Sequence, residues 1–345
     1  MPEQAPFVSV IMPIRNEADF IERAITSIMD NDYPAEKIEI LVVDGMSDDG
    51  TREAVERLSQ ADDRIKMLDN PKRIVPIAMN MGIKAARGDL FIRIDGHAEI
   101  PSDFVTKSIE CLREHPDAWV VGGYIETVAH DYTGRAIASA MRSPVGVGNS
   151  RFRLGDYEGW VDTLAFGTHH KWIVDKVGYF DEELVRNQDD EFNLRIILAG
   201  GKIWMSKSIR STYFSRASLR KLWRQYFQYG FWRIRTLQKH RRPATFRQLV
   251  PLFLVLSLLL LGLAGILWKS FWILPAIEAG LYLLGLLLGA LDVGRRSGWR
   301  FTPIAPLVFA ILHFAYGLGS LWGSIRFYAL KGRGMKRPEQ MQMSR

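Results

Sequence analysis

Leu90-Phe-Ile-Arg-Ile-Asp95-Gly-His97-Ala-Glu99-Ile-Pro101 is an apolar run that stops abruptly at a carboxylate. Such a run is typical of a buried strand, and Asp95, His97 and Glu99 follow it directly. In open α/β sheets, ligands bind beyond the carboxyl ends of the strands. The stretch therefore predicts a site at that edge, with oxygen and nitrogen ligands for a divalent cation that holds a diphosphate.

The chain around this stretch alternates short apolar runs with helical periodicity. Its pattern predicts strands over 7–12, 38–43, 65–68 and 90–94, and helices over 17–29, 49–58, 76–86 and 102–112. This order predicts a parallel sheet that is covered on both faces. Residues 124–180 are less regular and rich in glycine and aromatic residues, which favours a loop-rich binding surface, and a helix over 191–199 and a strand over 202–205 follow.

The last third of the chain has a different character. Residues 218–237 predict an amphipathic helix, which would lie at a membrane interface or pack on the core of the domain. Three apolar segments follow at 249–268, 271–291 and 303–322, each close to the ~20 residues needed to span a bilayer. Glu278 lies inside the second segment and is expected to face protein or water.

Charge is distributed unevenly along the chain. The net charge is +7, and no Asp or Glu occurs between Glu191 and Glu278, an interval with 15 Lys and Arg residues. Because apolar segments follow this basic block, it favours an anionic membrane surface over nucleic acid. Basic residues lie beside the first apolar segment and after the second. They predict that both of these basic loops lie on the inner side of the membrane. If the third segment also spans the membrane, the basic tail lies outside, against the preference of basic residues for the inner side. Either this preference is not followed here, or one segment is re-entrant.

Two further features concern the compartment. The single cysteine, Cys111, cannot form an internal disulfide. The first residues lack the basic and apolar regions of a signal peptide, so we expect the first domain to lie in the cytosol.

Acidic or polar clusters occur at four predicted element boundaries. They lie at 13–17, 44–51, 95–99 and 187–191. One such cluster could be a turn or a helix cap. Four in one chain are harder to explain by capping and indicate a site at the strand ends.

Four stretches together resemble the family 2 glycosyltransferases of the GT-A fold, especially the membrane-associated type that acts in succinoglycan biosynthesis, the ExoA type. They are Asn70-Pro-Lys-Arg-Ile-Val-Pro76, Arg93-Ile-Asp-Gly-His97, Ser143-Pro-Val-Gly-Val-Gly-Asn-Ser-Arg-Phe-Arg153 and Arg186-Asn-Gln-Asp-Asp-Glu191. The resemblance covers about residues 1–235, and the apolar tail matches in kind. It implies a Rossmann-like, mostly parallel α/β sheet, followed by the amphipathic helix and C-terminal transmembrane helices.

The resemblance also implies roles for individual residues. Asp189 aligns with the catalytic base, which takes the proton of the acceptor hydroxyl. His97 replaces the second Asp of the family's Asp-X-Asp, and Asp95 and His97 would hold Mn²⁺ or Mg²⁺, with imidazole favouring manganese. The donor nucleotide would contact Pro13, Arg15, Glu17, Asp44, Lys72, Arg73 and Asp95. The acceptor side would include His169, His170, Asp190 and Gln225.

The chain departs from the family pattern at two places. Gln188 stands where the family usually has Glu before the base. Gln225-Tyr-Phe-Gln-Tyr229 occupies the place of the Gln-X-X-Arg-Trp motif of processive synthases, which favours the addition of one sugar per encounter.

The function that the resemblance implies is inverting transfer of a sugar from a nucleotide-sugar, a UDP-hexose, to a polyprenyl-(di)phosphate-linked saccharide in extracellular polysaccharide or glycan biosynthesis. A polyprenyl-phosphate sugar synthase is the alternative within the class, and a non-catalytic nucleotide-binding membrane scaffold is the alternative outside it. The expected organisation is a cytosolic catalytic domain (1–215), a basic interfacial helix (216–247), two to three transmembrane segments (248–325) and a basic tail (326–345). We expect a multi-pass protein of a prokaryotic plasma membrane, with the bilayer and the lipid-linked acceptor as partners and no nucleic acid. The pattern carries no signal for the sugar, the linkage or an oligomeric state.

Overall fold

Nine strands in the described part of the chain form one mixed sheet. The computed structural model describes residues 5–330 apart from 149, 156, 216, 217 and 244. The strand order is β3-β2-β1-β4-β8-β6-β9-β5, with β7 beside β9. The strands are β1 (Val8–Ile14), β2 (Ile38–Asp44), β3 (Ile65–Asp69), β4 (Leu90–Arg93), β5 (Ala98–Glu99), β6 (Ala118–Val128), β7 (Gly159–Val161), β8 (Thr168–His170) and β9 (Lys202–Phe214).

The first four strands are parallel, as the sequence predicted. β1 pairs with β2 and β4, and β2 pairs with β3. Every residue of β1 and β2 is buried, so both faces of the sheet are covered there. β8 pairs antiparallel with β4 and with β6, so the sheet changes direction beyond β4. The carboxyl ends of β1, β2 and β4 therefore lie at one edge.

Five helices, α1 to α4 and α9, match the predicted positions within a few residues, whereas α5 to α8 lie in the stretch 124–180 that was expected to be rich in loops. α3 contacts β1 and β2, α4 contacts β9, and α1 contacts α2. The bounds are α1 (Ile21–Met29), α2 (Thr51–Ala61), α3 (Val75–Ala85), α4 (Phe104–Glu114), α5 (Tyr132–Met141), α6 (Pro144–Val147), α7 (Arg151–Leu154), α8 (Ile173–Val177) and α9 (Gln188–Leu198).

The chain divides into two compact units. The first contains the described residues up to Thr127 together with Gly155–Phe214, and the second contains Val128–Leu154 and the described residues from Ser215 onward. The division into a catalytic domain (1–215), an interfacial helix and a membrane region stays a prediction. The segment Val128–Leu154 belongs to the second unit because apolar residues of α5 pack there with apolar residues of the C-terminal helices.

Four long helices dominate the second unit. They are α10 (Leu219–His240), α11 (Val250–Leu267), α12 (Ile273–Ser297) and α13 (Ala305–Ser324). Among the described residues, three helical segments are long and apolar enough to cross a membrane, namely Phe246–Leu267, Ile273–Ser297 and Ala305–Ala329. The predicted basic tail covers residues 326–345. Its first five residues, 326–330, are described, and the rest of the tail lies outside the described residues.

Small residues bring α10 and α13 close together. A Cβ atom added to Gly230 would lie 2.0 Å from the carbonyl oxygen of Tyr316, and one added to Gly319 would lie 2.0 Å from that of Phe227. The helix predicted over 218–237 therefore packs one face on α13. Its Trp223 is 40% exposed, and contact of that side with a membrane surface stays a prediction.

The acidic residue inside the second apolar segment faces protein, as expected. Ser257 of α11 donates a hydrogen bond from Oγ to Oε1 of Glu278 on α12. This bond links the two helices of the hairpin through a polar contact.

Candidate active site

An arginine at the end of β4 connects two carboxylates. Arg93 Nε lies 2.9 Å from Asp95 Oδ1, and its Nη1 lies 3.8 Å from Asp189 Oδ2. Burial alone would lower the pKa of the guanidinium, but the charges of Asp95 and Asp189 more than offset this and raise it above its ordinary value. Arg93 therefore carries a positive charge between the two aspartates at every physiological pH.

Asp189 occupies the second position of α9. The backbone N–H of Asp190 donates to its Oδ1 at 2.9 Å. Burial raises the pKa of Asp189, and the neighbouring carboxylate of Asp190 raises it further, while Arg93 and the backbone N–H oppose both. Its side chain is still 35% exposed. An accessible carboxylate with a raised pKa is a suitable general base.

The other two acidic residues of this helix end contact different partners. Asp190 Oδ1 accepts a hydrogen bond of 2.8 Å from Thr163. The Glu191 side chain is 2% exposed and is bonded through both oxygens to Arg195, one turn along the helix. Glu191 is therefore a structural residue.

His97 is paired with Glu17. Its Nδ1 lies 2.8 Å from Glu17 Oε1. Its ring also packs edge-to-face with the ring of Tyr213, and the two ring centroids are 4.5 Å apart. A Cβ atom added to Gly96 would lie 2.9 Å from Glu17 Cγ, so this close approach requires glycine. Glu17 is 3% exposed and its carboxylate lies against His97, and its contact with the nucleotide stays a prediction.

Asp44 ends β2 and is completely buried. It accepts hydrogen bonds from the backbone N–H and hydroxyl of Ser47, and Arg52 Nη1 lies 2.6 Å from its Oδ2. The same nitrogen lies 2.8 Å from Asp69 at the end of β3. Asp44 is thus held at the sheet edge by an ion pair, and its contact with the nucleoside stays a prediction.

The remaining donor-side candidates also lie at this edge. Pro13 is buried in β1 opposite Val43, and Arg15 follows that strand. Lys72 and Arg73 are exposed in the turn after β3, which is tied to the end of β2 because the N–H of Asn70 donates to the carbonyl oxygen of Asp44 at 2.8 Å.

The two adjacent histidines point to opposite sides of β8, as expected for a strand. His169 stacks on Phe91 at 4.7 Å between ring centroids, and it lines a small cavity together with Arg93, Asp189 and Asn193. Burial lowers the pKa of His169 to about 4, so its imidazole is neutral at physiological pH. His170 stacks on Trp172 instead. Gln225 belongs to α10 in the second unit, where its Nε2 donates to Tyr229.

The metal ligands expected from the sequence are Asp95 and His97. Among the described residues, no group of three or more His, Cys, Asp and Glu side chains is placed to hold a metal ion. Metal binding by Asp95 and His97 therefore stays a prediction, since His97 Nδ1 lies 2.8 Å from Glu17 Oε1 and Asp95 Oδ1 lies 2.9 Å from Arg93 Nε. Diphosphate oxygens would have to supply the other ligands.

Two residues of this site were not singled out in the sequence. Arg93 lies inside the quoted apolar run, and a charged residue in a buried strand is the signal that could have identified it. Arg52 lies in the helix α2, and nothing in the neighbouring sequence indicates that its side chain reaches Asp44 and Asp69.

Comparison with known proteins identifies the family. Residues 9–161 match the family model described as glycosyl transferase family 2. The succinoglycan biosynthesis protein ExoA of Rhizobium meliloti is 31% identical over 321 residues, covering 90% of this chain and 92% of that protein. The chain belongs to glycosyl transferase family 2. A second relative of this family 2 chain comes from Methanococcus voltae, with 32% identity over 74% of this chain and 82% of its own length. That relative is named dolichyl N-acetyl-alpha-D-glucosaminyl phosphate 3-beta-D-2,3-diacetamido-2,3-dideoxy-beta-D-glucuronosyltransferase.

A solved structure confirms the fold of this family 2 glycosyltransferase. The mannosyltransferase PcManGT from Pyrobaculum calidifontis, in complex with GDP-Man and Mn²⁺, matches with a TM-score of 0.57 and 19% identity, covering 93% of this chain and 88% of that one. The predicted GT-A fold with apolar C-terminal helices is thereby confirmed.

Proposed function

We propose that this chain is an inverting glycosyltransferase that moves a sugar from a nucleotide-sugar, a UDP-hexose, to a polyprenyl-(di)phosphate-linked saccharide. The observation that carries the proposal is the arrangement of Asp189, Arg93 and Asp95 at the carboxyl edge of the sheet. It combines an accessible base of raised pKa with a cation that is not fully satisfied by hydrogen bonds.

Asp189 is the proposed base. Inversion requires one carboxylate that removes the proton of the acceptor hydroxyl as its oxygen attacks the anomeric carbon. A raised pKa makes the carboxylate a stronger base, and the charge of Arg93 opposes the rise in its pKa. Asp190 and Glu191 are engaged by Thr163 and Arg195, which leaves this role to Asp189.

Arg93 is the proposed contact for a substrate oxygen. Its Nη1 is buried and makes no hydrogen bond among the described residues. A buried, unsatisfied donor on a charged group is costly, so an oxygen of the bound substrate would stabilise the site. The donor nucleotide would lie along the same edge, against Pro13, Arg15, Asp44, Lys72 and Arg73.

Asp95 and His97 would hold a divalent cation, Mn²⁺ or Mg²⁺. When bound, the cation neutralises charge on the departing nucleoside diphosphate. The mannosyltransferase of known structure binds Mn²⁺ and GDP-Man, which supports a metal and a nucleotide-sugar here as well.

The second unit supports a lipid-linked acceptor. Its segments Val128–Leu154 and Ser215–Met335 contain 21 Lys and Arg residues but three Asp and Glu residues. Such a basic unit with three apolar helices suits a membrane whose surface carries anionic headgroups. The Methanococcus relative is named for a dolichyl phosphate-linked acceptor that already carries a sugar, which favours a lipid-linked saccharide over a bare lipid phosphate. The protein would be a multi-pass protein of a prokaryotic plasma membrane, with its first unit in the cytosol.

The test is transfer in membranes that contain the protein. Labelled UDP-sugars are supplied with polyprenyl-diphosphate-linked saccharides or with polyprenyl phosphate, in Mn²⁺ or Mg²⁺. We expect labelling of the saccharide acceptor that is lost in Asp189→Asn and retained in the control Asp117→Asn, a surface carboxylate paired with Lys202. Unchanged transfer in Asp189→Asn would refute the base.

The same assay separates the alternatives. Labelling of polyprenyl phosphate alone would identify a polyprenyl-phosphate sugar synthase. UDP binding without transfer to any acceptor would identify a non-catalytic scaffold.

A further inference from the structure

We infer that Asn80 of α3 is a positioning residue for Asp189, and that it acts through the bridging segment (residues 177–180), which joins α3 to α9. This inference rests on the proposed function, because it takes Asp189 as the base. It gives a role in the reaction to a buried amide side chain on a different helix.

The side-chain amide of Asn80 pairs with the backbone of Phe180 in both directions. Its Nδ2 donates to the carbonyl oxygen of Phe180 at 2.9 Å, and its Oδ1 accepts from the N–H of Phe180 at 2.9 Å. Nδ2 also donates to Oε1 of Glu182 at 2.9 Å. Asn80 is 3% exposed, so these bonds are sheltered from water. An amide carries a donor and an acceptor side by side, which the reciprocal pair requires.

The bridging segment is also held by α9. The guanidinium of Arg195, on that helix, donates to the carbonyl oxygens of residues 177–179. The ring of Phe180 stacks on that of Phe192, also on α9, with 4.3 Å between the ring centroids and 13° between the planes. The carbonyl groups of consecutive residues are therefore bonded to α9 and, at Phe180, to α3.

The stacked rings lie close to the base. Phe180 and Phe192 line the same small cavity as Asp189, and Met79, the residue before Asn80, lines it as well. Phe192 and Asp189 are three residues apart on α9, so they lie on neighbouring positions of one helix face. A shift of the bridging segment would therefore displace this face of α9 and the carboxylate that it carries.

Loss of the Asn80 amide should cause such a shift. It leaves the N–H and the carbonyl group of Phe180 buried without partners, which is costly unless the backbone moves to find new ones. A displacement of about 1 Å at a reacting group can lower a rate by about 100-fold. None of the bonds named above involves a residue proposed to contact the donor nucleotide, so the affinity for UDP should be retained.

The first measurement is hydrogen exchange of the full-length protein in nanodiscs, without a ligand. Asn80→Leu keeps the size of the side chain but makes no hydrogen bond. Residues 191–193 carry the first amides of α9 that bond one turn back, and they should exchange about 10-fold faster in this variant than in the wild type. Unchanged exchange of these amides would overturn the inference.

Ser9→Ala is the matched control. Ser9 is also completely buried and hydrogen-bonded, to Glu39 and to the N–H of Gly88, but it lies near the amino end of β1, away from the site edge. It should leave the exchange of residues 191–193 as in the wild type. Faster exchange in this control as well would mean a general loosening of the fold, and it would overturn the specific role of Asn80.

The second measurement is the rate of sugar transfer per UDP-binding site. The kcat of Asn80→Leu should fall by about 10- to 100-fold, with a Kd for UDP close to that of the wild type. A purely structural role would lower the number of folded sites and leave the rate of each site unchanged. A kcat per site equal to that of Ser9→Ala would therefore overturn the inference.

Asn80→Asp is the second variant, for use if Asn80→Leu does not fold. An ionised Asp keeps the shape of Asn and an acceptor for the N–H of Phe180, but it has no donor for the carbonyl oxygen. It should show the same two effects, faster exchange in α9 and a lower kcat per site. Wild-type values for both would refute the role of Asn80.

The two measurements separate this inference from the proposed function. If Asp189→Asn abolishes transfer but Asn80→Leu exchanges and turns over like the wild type, the inference fails and the proposed function stands. If Asp189→Asn retains transfer, the proposed base fails, and hydrogen exchange still decides whether Asn80 fixes the start of α9.

Discussion

The charge of Arg93 should set the acidic limb of the pH–rate profile. Asp189 must be ionised to act as the base, and Arg93 Nη1 lies 3.8 Å from its Oδ2. Replacement by methionine in Arg93→Met removes the positive charge but keeps much of the apolar stem. The pKa of Asp189, already raised by burial and by Asp190, then rises further, and activity is lost at low to neutral pH.

The size of this effect follows from the distance and the exposure. Two unit charges at this separation interact by about 1 kcal/mol in bulk water and by about 4 kcal/mol at an effective dielectric constant of about 20. The Asp189 side chain is 35% exposed, so screening places the loss near the lower figure. Since 1.36 kcal/mol corresponds to one pH unit, the acidic limb should move upward by about one unit.

Asp190→Asn provides a partner variant of opposite sign. It removes a negative charge that raises the pKa of Asp189, and asparagine can still accept the hydrogen bond from Thr163. Its acidic limb should move downward. The assay is initial-rate transfer from pH 5 to pH 9 at saturating donor and acceptor. Limbs that move in the same direction, or that do not move in either variant, would refute Asp189 as the titrating base.

Three other substitutions probe the packing that supports the site and the helical unit. Gly96→Ala places a methyl group 2.9 Å from Glu17 Cγ, which should lower stability by about 1–3 kcal/mol and weaken UDP binding, measured by thermal unfolding and nucleotide titration. Arg195→Met leaves the buried Glu191 carboxylate without its ion-pair partner and should cost about 3 kcal/mol, measured as the loss of free energy of unfolding. Gly230→Leu forces α10 away from the backbone of α13 and should lower the apparent melting temperature of the protein in detergent.

Arg195→Met and Gly230→Leu each have a control in the chain. Lys202→Met breaks an exposed ion pair with Asp117 and should change stability by less than about 1 kcal/mol. Gly262→Leu adds a side chain where no atom lies within 4 Å and should leave the melting temperature unchanged. Equal losses in a test variant and its control would show that the close contacts are not what stabilises these elements.

The first four strands could be predicted because each is a short, mostly apolar run followed by polar turn residues. β8 could not. It consists of Thr168, His169 and His170, whose polar side chains give no strand signal, and it is held in the sheet by pairing with β4 and β6. The long β9 was predicted over four residues, since its polar positions after Met205 hide the continuation to Phe214.

The order of the strands predicted the sheet edge at which the site residues meet. It did not predict which of these residues contact one another. Glu17 and His97 are 80 residues apart, and their pairing depends on a glycine that lets β4 approach the start of α1. The contact of Arg93 with Asp189 depends equally on tertiary packing. Local sequence carries the identity of a charged group, whereas its partner is fixed by the fold.

The membership of Val128–Leu154 in the helical unit bears on how such proteins can be recombined. Because this segment lies between β6 and β7 in the sequence but packs its apolar side chains with those of the C-terminal helices, the membrane anchor is not a simple tail. A chimera that joins this catalytic unit to the anchor of a relative must therefore exchange two separate stretches of the gene. A single fusion point near residue 215 would leave Val128–Leu154 of this chain to pack with the C-terminal helices of the relative.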